Sequence, residues 1–75
     1  MTVRQYAEKI NEFHQINKAA IENGVTLSLV ISMCKSVYGA ILREAENDLE
    51  ISVTEMGLLK DLANKAMVEC CEIHK

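Results

Sequence analysis

The thiols and imidazoles come first, because no other side chains in this chain combine reactivity with scarcity. There are three cysteines, Cys34, Cys70 and Cys71, and two histidines, His14 and His74. If the chain folds into three helices running up, down and up, His14, Cys34 and either Cys70 or Cys71 fall within about two helical turns of one another along the bundle axis, roughly 9 Å. A zinc site is compatible with that geometry, but the spacing is poor for one. Adjacent cysteines on a helix diverge by about 100°, and no Cys-x-x-Cys knuckle is present. Plain reduced thiols are the preferred reading, since free cysteine behaves as a small buried apolar residue. A reactive thiol fares no better: Glu69 and Glu72 flank the vicinal pair near a helix C-terminus, where a thiolate is disfavoured. His14 has Ile10 one turn before it and Lys18 one turn after, with no acid or nucleophile evidently paired to it, so a histidine at the solvated rim is expected.

Other chemistry is excluded by what is missing. Ser28, Ser32 and Ser36 lie in a helical stretch with no strained glycine elbow around them, and there is no phosphate loop, His-Glu-x-x-His pair or EF-hand loop. No catalytic residue and no cofactor is assigned, and the chain is read as not an enzyme. The basic residues Arg4, Lys9, Lys18, Lys35, Arg43, Lys60, Lys65 and Lys75 are scattered among acids, and the net charge is −3. Nucleic acid is therefore a poor partner for the free chain.

The stretch that must position these groups is Thr26 to Leu49, the most apolar part of the chain. Leu27, Val30, Ile31, Cys34, Val37, Tyr38, Ile41, Ala45 and Leu49 follow the three-four spacing of a buried helix face. A second row, Leu29, Met33 and Ala40, lies off that face, next to the small residues Ser32, Ser36 and Gly39. A helix apolar nearly all round is usually buried on several sides; tight packing within one bundle is the preferred account, with a covering surface from another molecule as the alternative.

Helix one starts early, at a capping box of Thr2 and Gln5 flanked by Met1 and Tyr6 in staple positions. Its inner face is Val3, Tyr6, Ile10, Phe13 and Ala20, with Ala7, Ile16 and Ile21 on the flanks, and Asn23-Gly24 ends it. Thr26 is the candidate cap of helix two. A second capping box, Ser52 with Glu55, opens helix three, with Ile51 and Met56 as its staple. That helix carries the row Met56, Leu59, Ala63, Met67 and Cys70 beside Leu58, Leu62, Ala66 and Ile73. Gly57 weakens its first turns and leaves Thr54 as a fallback cap.

These readings predict one all-α domain over residues 1–75: a three-helix antiparallel bundle with helices near 3–23, 27–48 and 53–74. A long helical hairpin with a docked third helix is the variant, and dimerisation through helix two is an added expectation. No stretch is long and apolar enough to span a bilayer, no leader opens the chain, and the odd number of cysteines suits a reducing, cytoplasmic setting. The expected function is a non-enzymatic protein–protein interaction module, an adaptor, inhibitor or regulatory subunit, with a homodimer as the expected state. Its candidate partner-binding residues are Leu29, Met33, Ser36 and Ala40 on the surplus face and Glu44, Glu46, Asp48 and Glu50 at an acidic corner. The alternatives are a helical DNA-contacting regulator that assembles its basic surface by dimerising or with a partner, and a metal-stabilised bundle.

Overall fold

The computed structural model describes residues 1–74, the last of them, His74, for its backbone alone. Three helices, α1 (Val3–Glu22), α2 (Leu27–Glu46) and α3 (Val53–His74), form an up-down-up bundle measuring 39 × 16 × 16 Å, in which every pair of helices is in contact. The expected bundle is thus the observed one, and no strand occurs among the described residues.

Each helix boundary has a local cause. At α1 the Thr2 hydroxyl accepts from the amide of Gln5, whose side chain accepts in turn from the Thr2 amide. At the other end Gly24 takes φ +90°, and the amides of Val25 and Gly24 donate to the carbonyls of Ala20 and Ile21. That pair of bonds is a Schellman stop, which requires a residue tolerant of the left-handed region. Ser52 and Glu55 close the same reciprocal box at α3, so the helix starts at Val53 despite Gly57. Thr26 occupies the cap position of α2, but its hydroxyl makes no capping hydrogen bond.

α2 ends two residues before the expected boundary. The Asn47 side chain donates to the carbonyl of Arg43, and Asp48 turns the chain by accepting from the amide of Glu50. Both residues bond the backbone through short side chains, which competes with helix continuation. One consequence corrects the core expected for α2: Leu49, placed on its buried face, lies beyond the last turn and is fully exposed.

The core is built from Tyr6 and Ile10 of α1, Val30, Cys34, Tyr38, Ile41 and Ala45 of α2, and Leu59, Ala63, Ala66 and Cys70 of α3. Its one aromatic pair, Phe13 against Tyr38, meets edge to face at 5.5 Å and joins α1 to α2. Three further expectations are corrected here. Ile16, Leu58 and Ile73 were assigned to inward or flanking rows, and all three are exposed. Their positions fall on the outer shoulders of helices whose inward arcs are already filled by Ile10 and His14 on α1 and by Leu59 and Cys70 on α3.

Candidate functional site

Two clusters of polar groups interrupt the apolar interior. The first closes the end of the bundle where α1 begins and α2 ends. Asp48 accepts a 2.7 Å hydrogen bond from the Tyr6 hydroxyl and a 2.8 Å charged bond from the Met1 amine, which also lies 3.6 Å from Glu50. These donors hold the Asp48 carboxyl down at about 2, the amine contributing most and the tyrosine next. The same hydrogen bond pushes Tyr6 up to about 12. A shallow open hollow beside them is lined by Met1, Tyr6, Glu44, Asn47, Asp48, Leu49 and Glu50. It is too open to enclose a small substrate.

The acidic corner is therefore largely occupied by cations of this same chain. Glu44 faces Lys9 at 3.8 Å, Glu46 faces Lys60 at 3.5 Å, and Asp48 and Glu50 share the Met1 amine. These residues do come together in space, but as inter-helix pairs more than as a bare negative patch. Two further basic residues are paired, Arg4 with Glu8 and Lys18 with Glu69.

The second cluster lies toward the other end, where all three helices contribute. His14 was expected at the rim and is buried, with 7% of its surface exposed. Its correction has a simple cause: position 14 continues the Tyr6, Ile10 spacing straight into the core. The ring presents Nδ1 to the Cys70 Sγ at 3.8 Å and Nε2 to Glu69 Oε2 at 3.2 Å. The second contact is at ion-pair distance but outside hydrogen-bonding angles, so Nε2 has no hydrogen-bond partner. His14 beside it, with Lys18 at 3.5 Å, lowers the Glu69 carboxyl against the opposing effect of burial. One turn further along α1, Asn17 is buried and donates its side-chain amide to the Cys34 Sγ at 3.2 Å.

Tyr38 completes this layer. Its hydroxyl is buried without a hydrogen-bond partner, and burial, followed by the proximity of Cys34 and Cys70, pushes it up to about 12. Burial likewise raises the thiols of Cys34 and Cys70, so both stay protonated at neutral pH, while Cys71 sits half-buried on the neighbouring face. Of the residues expected within about two helical turns of one another, His14, Cys34 and Cys70 or Cys71, the pair His14 and Cys70 is in contact at 3.8 Å. Asn17 was missed, although it lies three residues past His14 and seven past Ile10, which is the core spacing. No three His, Cys, Asp or Glu side chains gather about one point among the described residues, and the side chain of His74 lies outside them.

The surplus apolar face is the third feature. By helical spacing Lys9, Phe13, Ile16 and Ala20 share one side of α1, and Leu29, Met33, Ala40 and Glu44 share one side of α2. The Lys9–Glu44 pair joins the two rows at one end. Along them Ile16 is 61%, Leu29 53% and Met33 41% exposed, with Ser36 and Ala40 also at the surface. No helix among the described residues is long and apolar enough to cross a membrane. Compared with known protein families, curated proteins and solved structures, the chain matches none.

Proposed function

We propose that this chain is a non-enzymatic interaction module, and that its working surface is the outer α1–α2 face. The observation that carries the reading is the exposure of Ile16 on α1 and of Leu29 and Met33 on α2, large apolar side chains for which the filled inward arcs leave no room. Large apolar side chains grouped on one face, with small neighbours such as Ser36 and Ala40 that let another backbone approach, suit a protein partner. The occupant we favour is a second copy of the chain docking its own α2 across this face, with another protein as the alternative occupant. Glu44, Glu46, Asp48 and Glu50 border the surface at one end. Because they are paired within the chain, they tune the approach of a partner more than they anchor it.

The test is the double substitution Leu29→Lys with Met33→Lys, both at exposed positions where helix content should be retained. Light scattering over a concentration series in reductant should show self-association in the parent chain and its loss in the variant. A parent that stays monomeric throughout, and that captures no protein which the variant releases, sinks the proposal.

A further inference from the structure

The outward strip of α2 combines features that its own bundle does not use. Leu29, Met33, Ser36 and Ala40 follow one another at intervals of four, three and four, the spacing of a seam between two helices, and all four are exposed. Between Leu27 and Leu42 the only charged residue is Lys35. Gly39 borders the strip, and a methyl group placed on it would meet nothing within 4 Å. Glycine weakens a helix interior, and nothing in this chain packs closely enough to call for one here. A second helix laid along the strip supplies a reason, because Ser32, Ser36, Gly39 and Ala40 together let another backbone come close.

Resting on the working surface proposed above, we infer that a second copy of this chain lays its α2 along this strip antiparallel, about a two-fold axis at the level of Cys34 and Lys35. Side-chain sizes match in that register. Leu29 falls opposite Ala40 of the second copy and Met33 opposite Ser36 of the second copy, so each large side chain meets a small one, and the two-fold repeats both pairs. A parallel pair would set Leu29 against its own counterpart and Ala40 against its own, crowding one end of the seam and leaving a gap at the other.

Charge selects the same orientation. The first turn of α2 has no acid and Thr26 makes no side-chain cap, so the positive end of the helix dipole is uncompensated. The last turn carries Glu44 and Glu46, which oppose the dipole of their own helix. Both carboxylates stay about half exposed beside Lys9 and Lys60, and Arg43 in the same turn donates back to the Gly39 carbonyl. Antiparallel packing brings the acids of each copy to the N-terminal turn of the other, whereas parallel packing would set acids against acids.

The experiment measures the solution mass of the full reduced chain over a concentration series for the parent, for Ala40→Leu, and for Leu29→Ala combined with Ala40→Leu. Circular dichroism checks that helix content is kept at these exposed positions. The parent should be a dimer. Ala40→Leu adds apolar surface, yet by overfilling the seam it should weaken the dimer at least about tenfold. The double variant exchanges the large and small partners and should regain most of that loss. Orientation is read by mixing Leu29→Cys with Ala40→Cys, each in a Cys71→Ser chain, since Cys34 and Cys70 are buried. Under mild oxidation the mixture should form a disulfide-linked dimer and neither variant alone should, because identical positions stand about 16 Å apart along the seam. Tightening by Ala40→Leu, no recovery in the double variant, or cross-linking of either cysteine variant alone overturns the antiparallel seam while leaving the outer face as the working surface. A parent that stays monomeric throughout overturns the seam as well, and the wider reading then stands or falls on capture of a different protein through that face.

Discussion

The two polar clusters differ in how completely they satisfy themselves. At the Asp48 corner every group has a partner: the tyrosine hydroxyl, the amine and a backbone amide all point at one carboxylate. In the His14 layer two buried atoms have none. A satisfied cluster behaves as a staple between elements distant in the chain, whereas an unsatisfied one costs stability that an apolar layer would not. The corner is thus a staple between distant parts of the chain, and the layer is where an apolar replacement should cost least.

Ile10 separates the two clusters on α1 and is fully buried. Ile10→Ala should therefore have the largest effect, about 3 kcal/mol of destabilisation, and denaturant unfolding should show it. If the loss were far smaller, the clusters rather than the apolar rows would be holding the bundle together. The two tyrosines then separate the clusters by sign. Tyr6→Phe removes a partner of Asp48 and should lower the melting temperature, while Tyr38→Phe deletes an unmatched hydroxyl and should be neutral or stabilising by up to about 1 kcal/mol. Destabilisation of similar size in both would mean that the two clusters do not differ in this way.

Titration offers a finer version of the same contrast. Asp48 is held at about 2 in the fold, below its unfolded value of about 3.9. Its contribution is therefore complete above the unfolded value and is lost as pH falls through about 2; Asp48→Asn should flatten the acid limb of a melting profile. The tyrosines act at the other limit. Both keep their protons to about 12, whereas the unfolded chain releases them near 10, so stability should decline as pH rises from about 10 to 12. Tyr6→Phe should remove part of that decline, read from alkaline melting curves. The smallest effect is expected at the exposed Arg4–Glu8 pair, whose removal should change stability by less than about 0.5 kcal/mol.

Much of the fold is legible in the sequence because its signals are local. The capping boxes at Thr2 and Ser52 and the Asn23-Gly24 stop each act within a few residues, so spacing alone reveals them. Leu49 was misjudged because the apolar period continues past Asn47 and Asp48, while their side-chain bonds to the backbone end the helix first. The surplus face was readable in part: Leu29 and Met33 are exposed where the second apolar row put them, but the exposure of Ile16 was not evident from α1 alone.

By itself the sequence determined three helices and their starts and turns, since helix period and caps depend only on neighbours along the chain. Only the tertiary structure decided that Asp48 would bind Tyr6, 42 residues away, and that His14 would meet Cys70, 56 residues away. It also placed Asn17 inside and paired the acidic corner with cations from other helices. Those outcomes depend on the rotation of each helix about its axis within the bundle. That rotation is set by how all three apolar arcs fill one interior together, a condition no single stretch of sequence contains.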